Sequence, residues 1–367
     1  MLTLHIVQAK FGDSMIIQYG NAQPKYILID GGPPGVFKNF LSGEITRIVG
    51  AQGKLEAVVV SHIDSDHIKG VLDLVTELKK QRDQSKPEMV AVKEIWHNSF
   101  SKTIDLDGTI VNRLDTVLTF SSQNNVNMEH AGIVPESVKE GNKVRTFAND
   151  LGIPVNKSTN NNFFSLENTP AKVVFDNLSF IVTGPTTENL TNLREEWDEW
   201  LTNTIQQIND GVLSLSTLSD ESVPNLSSIT FLAEADGKKI LFTGDARTDH
   251  VVEGLKKRNL LKYGKLHVDV IKVPHHGSDR NSDRDFYERI TADTYVISAD
   301  GKYNNPDYAT MCWIIEEAEK QKRKIHLIIT NETPATKKIL KDYDQTQYQY
   351  KLSYIAAGKN SFELKLA

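Results

Sequence analysis

The sequence predicts an α/β protein in which strands deliver polar loops onto helices, and three observations predict it. Leu55 to Val60 is an apolar run of the buried-strand kind that ends at Ser61-His62, and Ile68 to Leu78 then carries apolar residues at helical spacing. From Ile229 to Thr330, strand-like and helix-like segments alternate. Between about residues 98 and 220 the texture changes to Asn, Ser and Thr clusters, such as Gln123-Asn124-Asn125 and Ser158-Thr159-Asn160-Asn161-Asn162, around helical stretches. The expectation is a single domain over 1–367 with an inserted, largely helical lobe at about 98–220.

Taken in order, Ser14 to Tyr19, the turn residues Gly20-Asn21, and Tyr26 to Ile29 read as a β-hairpin leading into Asp30-Gly31-Gly32. Within the inserted lobe, Val173-Val174-Phe175 and Leu178 to Val182 flank Asp176-Asn177, a hairpin that would return the chain to the main sheet. Leu190, Leu193, Trp197, Trp200, Leu201, Ile205 and Ile208 mark one packed face of a helix. Asp236-Gly237 joins Ile229 to Glu234 with Lys239 to Phe242, and the second strand ends at Thr243-Gly244-Asp245. Val268 to Val273 ends at Pro274-His275-His276-Gly277-Ser278. A helix over Asp283 to Ile290, a strand over Thr294 to Ser298, a helix over Tyr308 to Lys322 and a strand over Ile325 to Thr330 follow, and Ser361 to Leu366 alternates as an edge strand does.

Composition narrows the class. The 367 residues are 39% hydrophobic and 25% charged, too apolar for a disordered chain. The net charge of −6 disfavours a general nucleic-acid coat. A single cysteine, Cys312, forms no intramolecular disulfide, and no apolar run approaches the roughly 20 residues of a membrane span. The chain starts in the alternating Leu2 to Gln8 without a basic-then-apolar leader, so a cytoplasmic location away from membranes is expected.

The chemistry concentrates in Ser61-His62-Ile63-Asp64-Ser65-Asp66-His67, where two imidazoles and two carboxylates stand at the mouth of a buried strand. In an extended turn, alternate side chains point the same way, so His62, Asp64 and Asp66 can converge while His67 enters from the helix start. Mixed nitrogen and oxygen donors suit Zn²⁺, Mn²⁺ or Fe better than Ca²⁺, and the lack of nearby thiolates argues against a structural zinc knot. Asp245 and the pair His275 and His276 stand at two further strand ends, and ligand sites of layered α/β folds collect along one such edge.

In their order, Asp30-Gly31-Gly32, Ser61-His62-x-Asp64-x-Asp66-His67, Thr243-Gly244-Asp245 and Lys272-Val273-Pro274-His275-His276-Gly277-Ser278 resemble the metallo-β-lactamase superfamily. With Phe11-Gly12-Asp13-Ser14 near the start, the likeness is closest to its ComEC-type branch, represented by the nuclease domain of DNA-uptake proteins. The resemblance covers roughly residues 1 to 97 and 171 to 330. It implies a four-layered αββα sandwich with one or two metal ions, Zn²⁺ or Mn²⁺, along the upper edges of two sheets. It further implies that His62 and Asp64 hold the first metal and Asp66 and His67 the second. Asp245 would bridge, one of His275 and His276 would complete the second set, and Asp30 would orient the ligand loop from behind. Two departures from the wider family are Asp64, where a second histidine is usual, and Asn225, a weak neutral ligand, near the position of a further histidine. Both make the first metal position richer in oxygen and favour Mn²⁺, or vacancy, over zinc.

What the resemblance implies in function is hydrolysis of a phosphodiester by a metal-activated water, with Asp66 or Asp245 relaying the proton and DNA, RNA or a nucleotide as substrate. Arg280 is the candidate for meeting a substrate phosphate. Lys79 to Arg82, Lys256 to Arg258 and Lys320 to Lys324 are basic clusters at helix ends, where a solvated, dipole-matched face is the ordinary explanation. Lys54, Lys69 and Lys272 read as surface charges. Two alternatives remain at this stage: a small-molecule esterase, lactonase or lactamase on the same site, and a non-catalytic binding module whose Asn/Ser-rich lobe contacts a partner protein.

Overall fold

The protein is described from a computed structural model, over residues 1–99, 105, 108–124, 135–160, 162–210 and 227–366. In chain order the first strands are β1 (Leu2–Val7), β2 (Met15–Tyr19), β3 (Lys25–Ile29), β4 (Gly53–Val60), β5 (Val90–Val92) and β6 (Ile95–His97). They are followed by β7 (Val173–Phe175), β8 (Leu178–Gly184), β9 (Thr230–Ala235), β10 (Lys238–Phe242) and β11 (Leu266–Lys272). The last are β12 (Ile290–Ile297), β13 (Ile325–Ile329), β14 (Tyr350–Tyr354) and β15 (Ser361–Leu366). The helices are α1 (Ser42–Ile48), α2 (Ser65–Asp83), α3 (Thr109–Asn124), α4 (Pro135–Asp150) and α5 (Thr187–Asn209). After these come α6 (Thr248–Lys257), α7 (Arg284–Arg289), α8 (Tyr308–Lys320) and α9 (Pro334–Asp342).

The strands form two sheets. One runs β15-β1-β2-β3-β4-β5 with β6 also on β4, and the other runs β14-β13-β12-β11-β10-β9-β8-β7. The period-two alternation of each strand explains the layering. Ala57 and Val59 of β4 join Leu2, Leu4 and Ile6 of β1, Phe180 of β8, Phe231 of β9 and Val270 of β11 in a core between the sheets. The opposite face of β4, through Leu55, Val58 and Val60, packs under Val71, Leu74 and Val75 of α2 and Val144 and Ala148 of α4. On the far side, Ile271 and Tyr295 meet Val251 of α6, Phe286 of α7 and Ile314 of α8. The result is an αββα sandwich, the layering that the resemblance implies.

The described parts of the segment between 98 and 220 divide between these layers and a helix pair. Helix α4 lies on α2, while β7 and β8 pair antiparallel and extend the second sheet. Helices α3 and α5 bury a cluster of their own, Ile110, Leu114 and Val117 against Leu193, Trp197, Trp200 and Leu201. Among the described residues, no helix is long and apolar enough to cross a membrane.

One consequence of topology positions the site. β3 and β4 are parallel neighbours, as are β10, β11 and β12, so their C-terminal ends line up on the same edge of each sheet. Those ends carry Asp30, Ser61, Thr243, Val273 and Ser298.

Candidate metal centre

The loop after β4 and the start of α2 are fixed by the Asp30-Gly31-Gly32 turn. Asp30 sits in the left-handed region at φ 56°. Its carboxylate accepts from the Ser61 backbone N–H at 2.7 Å and from the Ser61 hydroxyl at 2.7 Å, and takes the Nδ1 proton of His67 at 3.0 Å. Gly31 N–H donates to the His67 carbonyl at 2.8 Å, and Gly70 N–H to the Gly32 carbonyl at 3.0 Å. Gly31 and Gly70 meet at a backbone-to-backbone approach, for a Cβ on Gly70 would lie 1.9 Å from the Gly31 oxygen. Any side chain there would push α2, and with it His67, out of place.

The second sheet contributes through strain. His275 and His276 both adopt left-handed backbone, at φ 45° and 52°. For non-glycine residues this costs of the order of 1–3 kcal/mol each, and such outliers cluster where side-chain placement matters. The turn aims both imidazoles at Asp245, whose Oδ2 lies 3.7 Å from His275 Nε2 and 3.3 Å from His276 Nε2.

Two adjoining sets result. In the inner one, the Nε2 atoms of His67 and His276 are 3.3 Å apart, Asp245 Oδ1 is 3.3 Å from His67 Nε2, and Asp66 Oδ2 is 3.3 Å from His276 Nε2. In the outer one, His62 Nε2 faces Asp64 at 3.5 Å and Asp245 at 3.8 Å, with His275 across the same carboxylate. The structure thus brings together His62, Asp64, Asp66, His67, Asp245, His275 and His276. Asp30 stands behind His67. Arg280 is exposed on the loop beyond, its N–H donating to Ser278 Oγ at 3.3 Å, outside the cluster. Asn225 lies outside the described residues.

The four imidazoles share one orientation. His276 Nδ1 donates to the Ser298 carbonyl at 2.9 Å, and because a carbonyl only accepts, the lone pair of that ring is left on Nε2. His67 Nδ1 is held by Asp30, His275 Nδ1 by Asn281 Oδ1 at 2.7 Å, and His62 Nδ1 by Ser61 Oγ at 3.0 Å. Every Nδ1 is therefore engaged outward and every Nε2 faces the carboxylates, the tautomer arrangement that metal-ligating histidines need. His62 Nε2 is buried without a hydrogen-bond partner, a cost that coordination would remove.

Electrostatics agree with this fit. Burial alone would raise the Asp245 carboxyl, but His276, His67, His275 and Lys272 outweigh it and hold it well below the usual range. The Asp66 carboxyl is likewise burdened by burial yet brought down to about 2, mainly by His67 and His276. Burial pushes His67 and His276 down, and the surrounding carboxylates, Asp245 foremost, raise both well above the ordinary imidazole value. The cluster demands positive charge. Protonating two imidazoles whose Nε2 atoms nearly touch sets like charges against each other, whereas one divalent cation satisfies both rings and both carboxylates.

Asp13, His67, Asp245 and His276 each offer a potential ligand atom within 4.8 Å of one another. Asp13, however, faces the backs of the rings, 3.8 Å from His67 Nδ1 and 3.5 Å from His276 Nδ1, and is ion-paired to the Lys272 ammonium. It belongs behind the ligands, as Asp30 does. Lys272 corrects the sequence reading of a surface charge. Its side chain is 1% exposed, donates to the Gly244 carbonyl at 2.9 Å and lies 3.4 Å from Asp245 Oδ1. By contrast, Lys69 pairs with Asp73 at 2.5 Å and Lys54 with Glu56 at 3.2 Å at the surface. Ser61, Asn281 and Ser298 were also not singled out by sequence, because hydroxyl and amide residues at loop positions are too common to stand out.

Residues 9–132 match the family model described as "Metallo-beta-lactamase superfamily". That stretch contains Asp13, Asp30 and His62 to His67 but none of the second-sheet ligands. Microtubule-associated protein 1A of Rattus norvegicus is 26% identical over 141 residues, covering 36% of this chain and 5% of the relative, so the chain spans about one-twentieth of that protein's length. Among solved structures, a diphosphatase from the PhnP family superposes with a TM-score of 0.42 at 12% identity, covering 100% of this chain and 98% of the other. Zn(2+)-bound PqqB from Methylobacterium extorquens gives 0.41 at 10% identity, with 99% and 100% covered. The family match and the αββα layering together support the metallo-β-lactamase superfamily.

Proposed function

We propose that this metallo-β-lactamase-fold chain is a metal-dependent hydrolase of phosphodiesters, of the ComEC-type branch. The observation that carries the reading is the shared orientation of His62, His67, His275 and His276, all with Nδ1 tied outward and Nε2 turned toward Asp64, Asp66 and Asp245. His67, His276, Asp66 and Asp245 would hold an inner divalent ion, and His62, Asp64, His275 and the shared Asp245 an outer one. The donor set suits Zn²⁺ or Mn²⁺. A divalent ion supplies Lewis acidity toward a phosphoryl oxygen and lowers the pKa of water to near neutrality.

The chain's own groups supply the rest. Asp66 is the partly exposed carboxylate of the inner set, so it is the group placed to pass a proton from the attacking water to solvent. Asp30 and Ser298 fix the imidazole tautomers, and the buried ammonium of Lys272 keeps Asp13 and Asp245 ionised and apart. The phosphodiester preference follows from the motif set, with the exposed guanidinium of Arg280 beyond the histidine turn as a contact for a second phosphate.

Elemental analysis of the purified protein, followed by assay with Mn²⁺ and Zn²⁺ on bis(p-nitrophenyl) phosphate, single-stranded DNA and RNA, tests the reading. Bound transition metal and turnover that EDTA abolishes are expected. A protein that retains no metal, and turns over none of these with either ion, overturns it.

A further inference from the structure

Two loops tied by backbone hydrogen bonds to the ligand-bearing segments carry the aromatic rings of Phe11 and Tyr303. Phe11 immediately precedes Gly12-Asp13, and Asp13 N–H donates to the Asp66 carbonyl at 3.2 Å. Tyr303 follows the end of β12, where the Ser298 carbonyl takes the His276 proton and the Ser298 hydroxyl donates to the Gly12 carbonyl at 2.5 Å. The two rings meet edge to face, 6.1 Å between centroids. Lys302 Nζ lies 3.6 Å from the Phe11 centroid and 4.7 Å from that of Tyr303, and no carboxylate pairs with it among the described residues.

This arrangement is held rigidly and is left open. Tyr303 is 69% exposed, unusual for so large a ring, and it stands on strained backbone at φ 56°, with Asn304 also left-handed at 67°. Gly301 N–H to the Asn305 carbonyl at 3.0 Å and Asn305 N–H to the Lys302 carbonyl at 3.2 Å close the turn. Asp307 N–H then donates to the Gly277 carbonyl at 3.0 Å, while Pro306 packs so closely on Gly277 that a Cβ there would lie 2.8 Å from it. The loop bearing Tyr303 is thereby registered to the turn bearing His276. A strained, exposed aromatic beside a cation that rests on rings and has no carboxylate partner among the described residues, on a loop registered to the histidine turn, needs a reason that packing does not provide.

We infer that Phe11, Lys302 and Tyr303 form a lip that stacks a nucleobase on the exposed Tyr303 ring and draws the adjoining phosphate with the Lys302 ammonium, so that the substrate is an unpaired, base-bearing phosphodiester. The inference rests on the phosphodiester reading of the centre. It deepens that reading by naming what flanks the scissile bond. Aromatic stacking accepts any base, requires an unpaired strand and is sequence-tolerant. It also explains how a chain of net charge −6 engages a polyanion without a basic face. The basic clusters elsewhere are largely occupied: Lys79 by Asp83 and Asp150, Lys80 by Glu77, Arg82 by Glu88, Lys257 by Glu253 and Lys320 by Glu317.

The test uses the full chain and two single-stranded DNA trimers, one with 2-aminopurine at its centre and one with the central base absent. Affinity is read by fluorescence quenching and by competition in EDTA, so that binding is measured without turnover. The base-bearing trimer should bind about tenfold more tightly, from the range of base–aromatic stacking. Tyr303→Phe should keep that preference. Tyr303→Gly should lose it while holding the melting temperature, since glycine accepts the left-handed backbone without strain. Equal affinity for the two trimers, failure of both to bind, or a preference that Tyr303→Gly leaves intact overturns the lip. Turnover of bis(p-nitrophenyl) phosphate with Mn²⁺, measured in parallel, separates the two ideas. Turnover without base preference sinks the lip alone, and base preference without turnover under any condition sinks the hydrolase.

Discussion

The inner and outer halves of the centre use the same residue types and share Asp245, yet they are built differently. His67 and His276 are buried and each is backed by an acceptor at Nδ1, with Asp13 and Lys272 packed behind them. In the outer half, Asp64 is 34% and His275 32% exposed, and His275 is backed only by the neutral side chain of Asn281. The outer carboxylate is also looser, since Asp64 caps α2 with no side-chain cap hydrogen bond. Ligand identity alone does not make a metal site. A buried, hydrogen-bonded surround raises ligand basicity and fixes geometry; in the outer half only His62 has one, whereas in the inner half both imidazoles do. The inner position should therefore bind first and hold tightest.

The largest effect expected is from the shared carboxylate. Asp245→Ala should cut hydrolysis on the order of a thousandfold, because several kcal/mol of charge stabilisation go with it, and should empty both positions in elemental analysis. His275→Ala should remove at most one ion and leave the tighter one in place. If His275→Ala strips all metal while His67→Ala spares it, the ranking of the two halves is reversed.

Next is the ammonium behind the inner set. Lys272→Met removes the ammonium that pairs with both Asp13 and Asp245, and breaking such a buried pair costs about 3–5 kcal/mol. Urea unfolding of the metal-free protein should show that loss, and Asp13→Asn in the same chain should recover much of it. Equal stability of Lys272→Met and the parent protein would mean that the ammonium is not balancing those carboxylates. A smaller change is expected for Asp30→Asn, which keeps the shape behind His67 but removes the charge. Metal affinity should weaken by about 10–100-fold. The corresponding change in the outer half, Asn281→Ala, should shift the tighter dissociation constant little. Titration with Mn²⁺ compares the two directly.

Much of this was legible in the chain because it is local. The buried run of β4, the helical spacing of α2 and the hairpins around Asp176-Asn177 and Asp236-Gly237 each announce themselves within ten residues, and the structure forms them. The ligand residue types stand out for the same reason. Lys272 did not, because a lysine reads as surface until its partners are known, and Asp13 and Asp245 lie far away in sequence. Short β5 and β6 depend on pairing with β4 rather than on their own pattern. Helix α9 carried a usable signal, Pro334 at its first turn after a Thr333–Thr336 capping box, yet its polar face hid it between two strands. The left-handed pair His275 and His276 follows from long-range constraint and has no sequence signature beyond the glycine after it.

A fifth imidazole sharpens the comparison by subtraction. His97, at the end of β6, is buried as His67 is, but no carboxylate among the described residues shifts its titration. Its Nε2 donates to the Gly141 carbonyl of α4 at 3.0 Å. Burial therefore dominates and brings its pKa down to about 4, opposite in direction to the centre. A lowered folded-state value means that the unfolded chain binds the proton more readily. The stability due to neutral His97 is thus present above the unfolded pKa of about 6.5 and is lost as pH falls toward 4. Between pH 7 and pH 5 the loss should be roughly 2 kcal/mol. His97→Gln, whose amide can still donate to Gly141, should flatten the pH dependence of metal-free urea unfolding by that amount relative to the parent. The titrations of the centre cancel in the difference between the two proteins. An unchanged slope would show that His97 is not held neutral, and that burial without carboxylates does not suffice to set the direction of an imidazole in this fold.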